Sequence, residues 1–381
     1  LFIESLKLSD RYTNVSSELK VLNLALSKTA KGGDLSFNII GKTKKDSKNT
    51  GLNNIDFQGV CRQFFNPEGR INFKGLSTSV KGEVTRLPTV YLDALVSWNI
   101  DSGFYPSSLF GTVFNASIDG ELEKGNGYFD VGLRTSAIQG SISSVIRSGI
   151  VYLKKPLTAK ITITDQFSRT LAANAKMTVI PKASPITIDI SEKGFYIPLK
   201  GLYLKNLNFS FGRIDLGKLD LKNTGNVKDV SEILKMDRNT VADSSIWAAP
   251  MEMSMRNGLM YVDRTEILYN NTYEVATWGD INFRSKKVDM VLGLTAQSLR
   301  AAFGIRKIDP DYVLKIPVEG QFGSIEINKK VAIAKIALLV GQKHIIPKNS
   351  IWGNVLGAMG NILDDQSDVP KAKPPFPWQL K

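Results

Sequence analysis

The sequence predicts a mainly β protein: an elongated antiparallel sheet with one apolar face and a few short helices, including C-terminal helices. Three observations carry this reading. Apolar and polar residues alternate in Ile186-Thr187-Ile188-Asp189-Ile190, from Leu202 to Phe211, and in Met251-Glu252-Met253-Ser254-Met255. Successive strand residues point to opposite faces, so a period of two gives a sheet one greasy side and one wet side. Such segments recur about every ten to twelve residues between Gly, Asn and Lys turns, the spacing of an antiparallel meander. The third observation is chemical: one His and one Cys in 381 residues.

Taken in order, residues 18–26, 34–40, 55–63 and 70–75 read as strands. Residues 87–96 suit a short helix with Pro88 in its first turn. Strands resume at 111–122, 127–135, 140–146, 157–164 and 175–180. A second half opens near Pro185, with strands to Leu221 and a helical insertion at 229–236. Further strands follow through Met251 and at 259–268, 273–283 and 287–294. Residues 296–303 form a short helix that Gly304 ends. Strands at 312–318 and 324–327 precede an almost wholly apolar helix at 331–340. Residues 350–363 form an amphipathic helix with Ile351, Trp352, Val355, Leu356 and Met359 on one stripe. The tail from Asp364 holds Pro370, Pro374, Pro375 and Pro377 and reads as extended or disordered. This divides the chain into 1–182, 183–345 and 346–381.

Composition narrows the function. At 43% hydrophobic and 22% charged the chain is globular. No run approaches the ~18 apolar residues of a membrane-spanning helix. The chain begins at Leu1 and reads as a mature or excised piece, with any signal or anchor outside it. A net charge of +13 favours anionic surfaces, nucleic acid or phospholipid headgroups. The one dense basic cluster, from Lys42 to Lys48, reads as a solvated loop. Cys61 stands alone, so no internal disulfide forms.

No catalytic or metal site is expected. His344 has no second imidazole for a metal and no acid to make a triad. Asp364-Asp365 and the pair Glu319 and Glu326 read as solvated carboxylates without a cleft. Gly320-Gln321-Phe322-Gly323 lacks the Lys-Ser/Thr ending of a phosphate loop. Zinc spacings and nucleic-acid signatures are missing, so no nucleic-acid partner and no cofactor is expected. An enzyme is the least supported class. Met251, Met253 and Met255 share one strand face, either as core or as a deformable wall for apolar ligands.

The second half resembles the AsmA-like superfamily of bacterial envelope proteins, TamB- and YhdP-like. The residues that carry this are Pro185 to Ile190, Gly194-Phe195-Tyr196-Ile197-Pro198-Leu199 and Ile214-Asp215-Leu216-Gly217. Gly279 to Phe283, Val288 to Leu294 and Leu314 to Gly320 match best, before the helix with Ala332, Ala334 and Ala337. It covers about the last 200 residues. The resemblance implies a long, curled sheet with an apolar inner groove, and no catalytic residues to carry over. It also implies a periplasmic place with an inner-membrane anchor, here outside the chain.

The expected function is lipid binding and transfer between inner and outer membranes, with acyl chains of phospholipid or another lipid in the groove. Strand parity nominates Ile186, Ile188, Ile190, Leu207, Phe209, Met251, Met253, Met255, Leu292 and Leu294 as groove residues. The 350–363 helix would cap the groove or meet a membrane surface or another envelope protein. The alternative is an assembly factor whose sheet edges template outer-membrane protein strands.

Overall fold

The computed structural model describes residues 2–9, 16–28, 34–43, 54–63, 77–89, 92, 110–199, 203–234, 243–306, 308–341 and 366–380. The protein is mainly β and its pairings are antiparallel, as the alternation predicts. It divides into two compact units that interleave in sequence. Unit 1 holds residues 1–167 and 187–212, and unit 2 holds 168–186 and 213–381.

Unit 1 is a meander. Strands β1 (Phe2–Ser9), β2 (Ser16–Lys28), β3 (Leu35–Thr43), β4 (Asn54–Arg62), β5 (Ser77–Pro88), β6 (Val113–Glu123), β7 (Asn126–Thr135) and β8 (Ile138–Arg147) each pair with the next. Two further strands share β8. β9 (Ile150–Leu153) pairs with its second half and β10 (Leu157–Ile163) with its first.

Two-residue turns set the register. Lys124-Gly125 joins β6 to β7 with both φ positive, at 49° and 81°, and Ser148-Gly149 joins β8 to β9 at 50° and 75°. Two positive φ values make the primed turn whose twist matches that of a hairpin.

In unit 2 the sheet is built on β17 (Leu259–Tyr269), which pairs on one side with β15 (Asp243–Ala248) and β16 (Met251–Arg256). On its other side come β18 (Tyr273–Asn282), β19 (Lys287–Thr295), β20 (Val313–Gln321) and β21 (Glu326–Ile327). β14 (Lys218–Lys222) flanks β15. Asn257-Gly258 and Asn270-Asn271 supply two more turns with paired positive φ.

The apolar face of this sheet is covered by helices α2 (Gly225–Ile233) and α4 (Lys329–Gly341). The Tyr269 hydroxyl donates to Ser244 Oγ at 2.8 Å and lies 2.8 Å from Ser231 Oγ of α2, which fixes that helix over the face. Lys329 of α4 pairs with Asp229 of α2 at 2.7 Å, and this carboxylate pushes the Lys329 pKa up. Leu294 and Ile316 of the sheet and Ala332 of α4 have no exposure. Helix α3 (Ala296–Phe303) starts at Thr295, whose Oγ1 accepts from Ser298 N, and ends at Gly304 with φ 63°. That is the end the sequence predicts.

Three elements differ from expectation. Leu87 and Pro88 end strand β5 rather than opening a helix, and Pro88 pairs with Val113 past a bulge at Arg86, whose φ is 56°; beyond them only Thr89 and the helical Leu92 of the expected 87–96 helix are described, and its other residues lie outside the described ones. A terminal proline is tolerated there because it withholds a single ladder bond. Helix α1 (Asp165–Ala175) was not foreseen, although Thr164 Oγ1 accepts from Phe167 N and Asp165 sits in its first turn. The strand expected at 175–180 reduces to one bridge, Val179 to Leu221. The strand at 70–75 and the helix at 350–363, with Ile351, Trp352, Val355, Leu356 and Met359, lie outside the described residues.

Truncating Leu294 to Ala should cost unit 2 about 2–5 kcal/mol in chemical denaturation, as for a side chain with no room to collapse around. Met251→Ala, at a half-buried position, should cost less than half as much.

Candidate functional site

The register of unit 1 places apolar residues in rows running straight across the strands. One row is Ile39, Phe57, Gly82, Ile118, Val131 and Ile142 on β3 to β8. The next is Phe37, Gly59, Val80, Gly120, Phe129 and Ser144. A third begins at Ile55 and continues through Val84, Ala116, Leu133 and Gly140 to Ala159 of β10. Direct cross-strand partners share a face, so these rows form one surface.

Residues in between point the other way and are polar, as in the row Asn38, Gln58, Lys81, Asp119, Asp130 and Ser143. There Tyr128 donates to Asp119 at 3.1 Å, and that carboxylate pushes the phenol pKa up.

Glycine sits in these rows for a geometric reason. A Cβ on Gly82 would lie 2.0 Å from Phe57 Cδ1, one on Gly59 2.4 Å from Phe37 Cζ, and one on Gly120 2.2 Å from Phe129 Cδ1. Each phenyl ring therefore lies down across the glycine of the next strand instead of standing up from the sheet. The surface is apolar and low in relief. It is also incompletely sealed: Ile55, Val84, Leu87 and Phe114 form a buried cluster at one end, whereas Ile142 keeps 41% exposure. Six strands at ~4.8 Å spacing give a row about 24 Å long, more than the ~15 Å half-thickness of a bilayer's hydrocarbon core.

The nominated groove residues fall in several places. Ile188 and Ile190 are half-buried on β11 (Lys182–Ile190). Between them Asp189 accepts from Thr158 Oγ1 at 2.7 Å, on the side away from Ala159, so the two isoleucines take the side of the apolar rows. Ile186 and Phe209 are buried, and Leu207 is half-buried. Met253, Met255, Leu292 and Leu294 are buried on the helix-covered face of unit 2, with Met251 half-buried beside them. Those five belong to unit 2, whereas the apolar rows belong to unit 1. Sequence reasoning did not nominate Phe37, Phe57, Phe129, Val131 or Ile142. Their signal was present, as phenylalanines and glycines at alternating positions.

Unit 2 has a second concavity, of about 710 Å³, lined by Arg264, Glu274, Gln297, Arg300 and Tyr312 on one side and Val369 to Ala372 on the other. On its floor strand, Arg264 Nε donates to the almost wholly buried Glu266 at 2.7 Å. Burial pushes the Glu266 carboxyl pKa up against the opposing pull of Arg264. Burial and then Glu266 push Glu274 up likewise. No family model matches the chain, and neither does any curated protein or solved structure.

Two outcomes are expected. Gly82→Ala should destabilise unit 1 by about 1–3 kcal/mol, because the ring of Phe57 must lift. Phe57→Leu in the same chain should recover part of that loss, a coupling above ~0.5 kcal/mol in a denaturation cycle. A raised carboxyl pKa in the folded state favours folding below the unfolded value and withdraws that support as pH rises through the folded one. Relative to Glu266→Gln, the unmodified chain should therefore gain melting temperature as pH falls from 7 toward 4.5.

Proposed function

We propose that the chain is a non-enzymatic lipid-binding and lipid-transfer module of the bacterial cell envelope, with acyl chains lying along the apolar rows of unit 1. The single observation behind this reading is the flattened surface itself. Rings laid over Gly59, Gly82 and Gly120 leave a smooth apolar strip while the residues between them stay polar on the reverse. A smooth strip has near-equivalent positions along its length, so a bound chain can shift along it without crossing a large barrier.

Burial energy supports an acyl occupant. At ~0.8 kcal/mol per CH₂, complete shielding of a 16-carbon chain is worth roughly 12 kcal/mol, and an open face would recover a part of that. The headgroup would stay in water, where the net charge of +13 attracts phosphate. The resemblance to the AsmA-like superfamily supports the same class of ligand and a periplasmic location, with an anchor supplied from outside these residues.

Ile142 and Ser143 are neighbours on opposite faces, which gives a matched test. Protein purified from bacteria without added lipid, then extracted with organic solvent, should yield phospholipid by mass spectrometry. Ile142→Asp should cut that yield at least fivefold, and Ser143→Lys, whose ammonium would face Asp130, should leave it unchanged. Equal phospholipid from all three folded proteins, or none from any, would sink the reading.

A further inference from the structure

Residues 366–380 lie as a strap on the face of unit 2 opposite α2 and α4, with turns at 367–368 and 377–379 and no regular structure between them. We propose that this face is a docking groove for a proline-bearing, lysine-containing segment, and that the strap is its intramolecular occupant. The partner in trans is a protein segment of that same chemistry.

The strap holds the sheet through side chains. Lys373 pairs with Glu252 at 2.6 Å and Asp263 at 2.9 Å. Arg264 Nη1 donates to the Pro370 carbonyl at 2.8 Å, while its Nε is held by Glu266. The Gln366 amide accepts from Val313 N at 3.0 Å and donates to Val313 O at 3.2 Å, which satisfies both backbone groups of one β20 residue. Lys315 pairs with Asp368.

Apolar anchors complete the fit. Val369 packs against Ala276, Trp278 and Val313. Trp378 meets Trp247 edge-on at 6.2 Å between ring centres, and Phe376 is buried beside it. Aromatic rings, carboxylates for lysine and an arginine for a peptide carbonyl are the contacts by which grooves read proline-rich segments. The four prolines of the strap restrict the backbone shapes open to it before docking.

Exposed ion pairs hold only weakly, because solvent screens them. A strap gripped by these and a few apolar anchors opens locally at lower free energy than the ladder beneath it. Tethering gives the strap an effective concentration on the order of millimolar, so a segment in trans binds with an affinity reduced by the closed fraction. Weakening the strap from its own side must then strengthen binding in trans.

The test uses the full chain and a labelled synthetic peptide with the sequence of residues 366–380, read by fluorescence anisotropy. Trp378→Ala and Lys373→Glu each loosen the strap and leave every groove residue in place. The peptide should bind both chains at least tenfold more tightly than the unmodified chain. A peptide carrying the Lys373→Glu change should bind the Trp378→Ala chain at least tenfold more weakly. No binding to folded variants, or equal binding by all three chains, overturns the proposal. So does loss of folding in both variants, because the strap would then be part of the core.

Discussion

Register is the constraint on which the rest of the structure depends. In a sheet of alternating residues, sliding one strand by a single position sends its apolar set to the wet side. The tight turns Lys124-Gly125, Ser148-Gly149, Asn257-Gly258 and Asn270-Asn271 prevent that, because each places both central residues at positive φ and fixes the pairing on either side. The rows of unit 1 exist because this pairing stays in step over six strands. The strap of unit 2 finds Glu252, Asp263 and Trp247 on one face for the same reason.

A sheet with one apolar side needs a cover, and the two units differ here. In unit 2, Leu294 and Ile316 of the sheet and Ala332 of α4 have no exposure, while Met251, Met260 and Met290 on the same sheet face stay half-buried. In unit 1 the rows are buried at Ile55 and Val84 and half-buried elsewhere along much of their length, with Ile142 the most exposed of them. At ~25 cal/mol per Å² an unsealed apolar strip forgoes stability that covering would supply. Laying Phe37, Phe57 and Phe129 over glycines recovers some of it within the layer, since each ring buries one face against backbone. It does so without raising a second layer, and the strip stays accessible.

The fold class was legible because alternation is written residue by residue, and α3 was legible from Thr295 to Gly304 because both caps are. Parity reveals which residues share a face but says nothing of what lies over it. The methionines illustrate this. Met251, Met253 and Met255 could be read as core or as a ligand wall, and what decides is burial: Met253 and Met255 are buried while Met251 is half-buried, a tertiary outcome that parity does not contain. Pro88 misled for a related reason: it suits a first helical turn, yet pairing with Val113 is a tertiary fact. The Phe-over-Gly contacts link residues 9 to 25 positions apart, visible only once the register is known.

Charge explains why the two faces suit different occupants. On the strap-bearing face of unit 2, Asp280, Asp289, Glu319 and Glu326 are successive cross-strand partners, a row of four carboxylates in a chain of net charge +13. Like charges directly opposite destabilise a sheet, and burial together with Asp289 pushes the Asp280 carboxyl pKa up. Lys287 approaches Asp289 at 4.0 Å and Lys176 reaches Glu326 at 3.1 Å, which relieves the row at two points. Acyl chains gain nothing from such a surface, because its carboxylates would have to shed water for no partner. On the same face Lys373 of the strap pairs with two other carboxylates, Glu252 and Asp263. The flattened rows of unit 1 present the opposite case, because no charged side chain stands in any of them and no carboxylate there has to be kept hydrated or paired.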